Sequence, residues 1–286
     1  MNREPGPATM ILEPEQRIRT GFFACWKLMV LSLVHSRPLV WQLFKRDFTV
    51  SYKQSALGLL WVVITPVVGV LSWVFMNYAG VVNPGEVGVP YPLFVLFGTT
   101  IWGLFMAFYA TAAGSLSSDS SLLLQVRFPH EALVVRQMAQ TAVTMVANMF
   151  LLLVVLLLFQ IPPSWMAVLF PFMMLPIFFL GAGIGMLVSV LTVVVRDVSK
   201  VVAAVLGLTM FITPVIYSPK FESQALQGVI WLNPLTYLVG GAREVLLNGR
   251  IDHSLGYAWS ALFALLVFLL SWRLFFLSSQ RVAEKA

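Results

Sequence analysis

The stretch FKRDFTVSYKQSALGLLWVVITP, residues 44–66, changes character halfway along. Its first half sets Lys45, Arg46, Asp47 and Lys53 among the apolar Phe44, Phe48, Val50 and Tyr52. From Ala56 onward the chain is almost wholly apolar to about Ala79. The pattern predicts an amphipathic helix in the lipid headgroup layer that turns near Ser55 to Gly58 and runs on as a bilayer-spanning helix. A cationic, partly apolar helix can also dock a soluble partner, so movement on the water side would pass through this elbow into the membrane.

Composition extends the reading to the whole chain. Apolar residues make up 59% of the 286 residues, charged residues 10%, and the mean hydropathy is +0.87. Soluble domains carry about 25% charged residues, so the fold class is all-α and the protein a polytopic membrane protein. The net charge of +6 calls for no nucleic-acid partner, because cytoplasmic loops of membrane proteins are basic in any case. A single cysteine, Cys25, forms neither an intrachain disulfide nor a metal cluster alone. No cleavable leader is evident: residues 1–20 are polar and the first apolar run is interrupted by Lys27.

In chain order, residues 1–20, with Pro5, Pro7 and Pro14, read as a cytoplasmic tail. Residues 22–34 are too short for a span and are expected to form an interfacial helix. Ser36-Arg37-Pro38 is expected to end it, with Pro38 in the first turn of the amphipathic helix that follows. The domain plan is a tail and interfacial helix at 1–36, the amphipathic helix at 37–54, a membrane domain at 55–280 and a tail at 281–286. Six spans are expected at about 57–79, 92–114, 134–159, 166–194, 201–217 and 256–277, all helical because the apolar runs are continuous. Residues 225–247 tempt a seventh. Asn233-Pro234, Gly240-Gly241 and the pair Arg243-Glu244 point instead to two short re-entrant outer helices within residues 220–250, broken at those two places. With six spans and both termini inside, fifteen of the eighteen Lys and Arg residues fall on the cytoplasmic side, and only Lys220, Arg243 and Arg250 lie outside.

Chemistry-bearing motifs are scarce. No GxxxxGK[ST] loop is present, so nucleotide hydrolysis is assigned to another chain. His35, His130 and His253 are isolated, and no HExxH or Cys/His cluster offers a metal site. Gly181, Gly183 and Gly185 read as a close helix-packing surface. The predicted spans are nearly free of carboxylates: Asp47, Asp119, Glu131 and Asp197 fall at the cytoplasmic surface, and Glu86, Glu222, Glu244 and Asp252 outside. Ion-driven carriers bury an ionisable group at mid-membrane, so the energy is expected to come from another protein. A membrane transferase acting on polyprenyl lipids is the alternative class, and it would need a loop-borne acid or His cluster.

RDFTVSYKQSALGLLWVVITP (46–66), YPLFVLFGTTIW (91–102), VRFPHEAL (126–133), VVVRDVSKVV (193–202), TPVIYSP (213–219) and NPLTYLVGGAREVLLNG (233–249) follow one another in order. In these six pieces the chain resembles the membrane subunits of ABC-2 type polysaccharide exporters, which move lipid-linked O-antigen, capsule or teichoic acid chains. The first 36 residues are longer than that family's pattern. The resemblance implies a bacterial inner-membrane homodimer and a transport subunit rather than an enzyme. It implies two partner ATPase subunits that bind ATP and Mg, and no cofactor in this chain. Exporters of a small lipid or drug share the six-span plan.

Three parts carry over. Pro38 to Lys53, with Lys45, Arg46, Asp47 and Tyr52, looks like the gate helix that touches the ATPase. Ser117 to Pro129, with Leu122, Leu123, Leu124 and Arg127, looks like the coupling helix. Residues 220–250 look like the caps of the channel. Arg46 and Asp47 are neighbours, so their side chains leave a helix about 100° apart. Arg46 is expected to meet a lipid or carrier phosphate, and Asp47 a cation or backbone donor on the ATPase or a neighbouring helix. Trp73, Trp102, Phe105, Phe108 and Tyr109 are candidate channel-lining rings able to stack on sugars, with plain helix packing as the alternative.

Overall fold

A computed structural model describes residues 22–53, 58–116, 130–219 and 223–283. All regular structure among them is helical. In chain order the main helices are α1 (Phe22–Lys53), α2 (Trp61–Tyr78), α3 (Tyr91–Ala113), α4 (His130–Leu158), α5 (Leu175–Val194), α6 (Val198–Ile212), α7 (Gln224–Leu232), α8 (Pro234–Asn248) and α9 (Ser254–Ala283). A 3-10 turn at Gly58–Leu60 leads into α2, and a second at Trp165–Leu169, followed by one helical turn, leads into α5.

Among the described residues four stretches are long and apolar enough to cross a bilayer: Tyr91–Ala113, Val134–Leu158, Trp165–Val194 and Ser254–Ser278. Val63–Tyr78 and Val198–Ile212 are also apolar but shorter. α3 is the central helix, buried on all but one narrow strip. It packs most extensively on α5, which in turn lies against α9, while α2 and α4 flank α3. The glycines of α5 make this possible. A Cβ on Gly185 would sit 2.5 Å from the Tyr109 carbonyl oxygen of α3, and one on Gly183 would sit 3.0 Å from the Phe268 backbone of α9. Backbones meet this closely only where side chains are absent, so GAGIG is a packing surface that faces both neighbours.

Two expected breaks are absent. α1 is one helix through Ser36-Arg37-Pro38 instead of two. Proline removes a single interior hydrogen bond, and α1 is held by packing on α4 and α9. Its first half anchors on the end of α9, where Met29 and Phe276 are both buried and Trp26 meets Trp272 edge-on at 5.6 Å. Between α7 and α8 the break at Asn233-Pro234 is present, but α8 continues through Gly240-Gly241. Gly241 serves close approach: a Cβ there would lie 2.6 Å from the Tyr257 ring. The fifth apolar helix ends at Ile212, ahead of Thr213-Pro214, as proline in that position dictates.

Candidate functional site

The second half of α1 carries Trp41, Phe44 and Phe48 at helical spacing, with ring centroids 5.6 Å and 5.9 Å apart in succession. These rings form an apolar ridge on the helix. Lys45 and Arg46 are exposed beside it. Asp47 joins two cations. One oxygen accepts from Arg46 Nε at 3.0 Å, and the other pairs with Arg136 Nη1 of α4 at 3.1 Å. The first contact corrects the expectation that Arg46 and Asp47 stay apart. Their Cβ vectors diverge, but the long arginine folds back along the helix surface to reach the carboxylate. The second supplies the neighbouring helix on which Asp47 was expected to find a cation. Arg136 is only 5% exposed, so its charge is held inside with the help of a carboxylate partner.

Tyr52 falls in the last turn of α1. Beyond it Gly58 opens the turn into α2 with φ of 47°, a left-handed value that suits glycine. Of the turn expected near Ser55 to Gly58, only Gly58 falls among the described residues; residues 54–57 lie outside them. Leu122, Leu123, Leu124 and Arg127 also lie outside them. The described chain stops at the buried Leu116, just past the end of α3, and resumes at His130, the start of α4. Arg136 thus stands on the first turns of the helix that residues 117–129 lead into.

For four of the aromatic candidates burial favours helix packing, one of the two readings open to them. Trp102, Phe105, Phe108 and Tyr109 are 6%, 1%, 2% and 2% exposed within a single chain. Trp102 packs on Phe105, Phe108 meets Phe178 of α5 edge-on at 5.0 Å, and Tyr109 donates its hydroxyl to the Ser199 carbonyl at 2.9 Å. Rings covered by their own chain present no face to a channel, so these four are core. Trp73 is half-buried against the same cluster.

At the other end of α3 stands a site that the sequence reading missed. Arg243 of α8 is 7% exposed, donates through Nη2 to the carbonyls of Pro214 (3.3 Å) and Val215 (3.1 Å), and lies 3.7 Å above the Phe94 ring. Pro214 and Val215 follow the end of α6, where helical carbonyls lose their partners. Burial pulls the Arg243 guanidinium down to about 9 against the opposing field of Glu244, which leaves it charged at neutral pH. Asn233 ties the same corner twice: its amide donates to Thr213 Oγ1 at 2.8 Å and its oxygen caps Leu235 N at 3.0 Å. Gly98 completes the fit, because a Cβ there would run into the Val215 carbonyl. The signal in the sequence was an arginine inside an apolar stretch, which requires a partner wherever it settles.

Comparison with known proteins agrees with this architecture. The O-antigen export system permease protein RfbA of Myxococcus xanthus is 26% identical over 226 residues, spanning 78% of this chain and 85% of that protein. A protein of the same name from Klebsiella pneumoniae is 22% identical over 214 residues, 73% and 80% of the two lengths. Residues 38–247, from the amphipathic half of α1 to the end of α8, match the ABC-2 type transporter family. On that match, and with apolar helices of this arrangement, the chain belongs to the ABC-2 type transporter family as a membrane-spanning transport component.

Proposed function

We propose that this chain is the permease of an exporter that carries a lipid-linked polysaccharide such as O-antigen across the bacterial inner membrane. Energy comes from ATP and Mg bound by two copies of a separate ATPase subunit, and two copies of the chain enclose the path. The cargo is suggested by the relatives named as O-antigen export permeases. The observation that carries the transport reading is the Asp47–Arg136 pair. It joins the amphipathic helix to the helix fed by loop 117–129, so two surfaces read as facing the ATPase would move together.

In this reading the six spans are α2, α3, α4, the stretch Trp165–Val194, α6 and α9. Both termini are cytoplasmic, and α7 and α8 cap the outer mouth. Exposed rings support the outer boundary: Tyr78 at 91%, Trp165 at 80% and Trp259 at 69% stand at the ends of three spans, where an aromatic belt belongs. Lys45, Arg46, Asp47 and Tyr52 border the inner mouth, and Leu122, Leu123, Leu124 and Arg127 enter the ATPase. The test is deletion of the chain with surface glycan as readout. Loss of surface polysaccharide, with lipid-linked glycan accumulating inside, is expected. Unchanged surface polysaccharide would overturn the reading.

A further inference from the structure

The one open strip of α3 faces a groove of about 450 Å³ between α2, α3 and α4, within the size range of small-ligand sites. Thr99, Gly103 and Ala107 of α3 line it, Gly69 of α2 lies opposite, and Trp61 stands at one end, half exposed. Gly69 and Gly103 leave it open: a Cβ on either would meet nothing within 4 Å. Polar groups converge on this otherwise apolar cleft. Thr144 and Asn148 reach it from near the middle of the span Val134–Leu158. Thr100 lies behind it, 6% exposed, with its hydroxyl oxygen buried away from the cleft.

Polar side chains open to the interior of a bilayer are costly to leave unpaired, and an acyl or isoprenoid tail offers Thr144 and Asn148 nothing. The occupant therefore brings hydrogen-bonding groups of its own. Among the described residues no charged side chain lines the groove, so the part of the occupant seated here is neutral. Trp61 adds a flat apolar face of the kind on which the C–H faces of sugars stack. We propose that the groove is a binding site for a neutral sugar unit, seated on Trp61 with its hydroxyls toward Thr144 and Asn148. The proposal rests on the reading of the chain as a polysaccharide permease and gives that cargo a contact site.

The test places Gly103→Cys in a Cys25→Ser background, in the full chain reconstituted in lipid nanodiscs, and follows labelling by N-ethylmaleimide. Dodecyl maltoside below its micellar concentration is the sugar-bearing probe, and dodecyldimethylamine oxide with the same tail is the control. Labelling is expected to slow with the maltoside alone. Thr144→Val, which removes one ordinary hydrogen bond, is expected to weaken that protection about fivefold. Equal protection by both amphiphiles would assign the groove to a lipid tail and overturn the proposal. So would a Gly103→Cys variant that never labels but cross-links to a second copy, or one that labels regardless of probe. In cells, Gly103→Leu puts a side chain into the groove from a position where a Cβ meets nothing within 4 Å, so loss of surface glycan at normal protein abundance is expected. Normal surface glycan in that strain overturns the groove alone, whereas normal glycan in the deletion strain overturns the transport reading.

Discussion

Arg136 and Asp47 show how much one pair decides at the residue scale. Arg136 is 5% exposed and Asp47 25%, so removing the carboxylate takes a counter-charge away from a buried guanidinium. Truncating one partner of a buried pair costs about 3–5 kcal/mol. With Asp47 partly solvated the cost falls toward surface values, roughly 1–3 kcal/mol. Asp47→Ala should therefore loosen α1 from α4 and raise protease access to α1 while the remaining helices stay folded. Arg46→Ala, at a side chain 54% exposed, should leave that access unchanged and impair export if Arg46 meets phosphates. Equal protease sensitivity in both variants would remove the distinction. Arg243 makes a second residue-scale case. Arg243→Lys keeps the charge but loses the planar group that spans two carbonyls and covers Phe94. A lower thermal midpoint is expected, with Arg243→Met lower still; a midpoint unchanged in both would show that the corner does not depend on it.

At the element scale, the glycines of α5 set how closely it approaches its neighbours. Gly185→Leu would drive a side chain into Tyr109 and Ala112 of α3, and overpacking of this kind costs about 1–3 kcal/mol or more. Thermal stability in detergent should drop accordingly, while Gly207→Leu on the exposed α6, where a Cβ would meet nothing, should be neutral to folding. A reversed order would show that the α3–α5 contact is looser than described. The loop between α3 and α4 belongs to the same scale. If residues 117–129 enter the ATPase as proposed, Leu123→Asp with Leu124→Asp should uncouple ATP hydrolysis from export, because charges would replace apolar groups at that contact. Normal export in that double variant would remove the coupling assignment.

The whole molecule divides into a buried centre, α3 with α5, α8 and α9, and a less covered periphery of α2, α4 and α6. No residue of α6 is buried, and Val201, Val205 and Leu208 are each more than half exposed. Such a helix needs lipid or protein around it. The topology is tested at this scale with single cysteines in the Cys25→Ser background. Glu222→Cys is expected to react with an impermeant maleimide added outside intact cells, and Lys285→Cys only after permeabilisation. The reverse pattern would overturn the placement of both termini inside.

Chain pattern alone determined the elements. Runs of continuous apolar residues, the switch near residue 55 and the Asn233-Pro234 stop are local properties, and local backbone chemistry enforces them. The packing role of GAGIG was equally legible, because only glycine permits that approach. Partners in space were not. Pro38 signals a break, yet tertiary packing holds α1 as one helix. Trp102, Phe105, Phe108 and Tyr109 have the composition of a channel wall, and only the arrangement of α3 against α5 shows that they face inward. Asp47 sits 89 positions from Arg136 along the chain and 3.1 Å from it in the fold. Arg243 likewise reaches carbonyls 28 and 29 positions away. A charge in an apolar segment announces that it needs a partner, but which partner it takes depends on how rigid helices pack, and the spacing of residues along one helix does not contain that information.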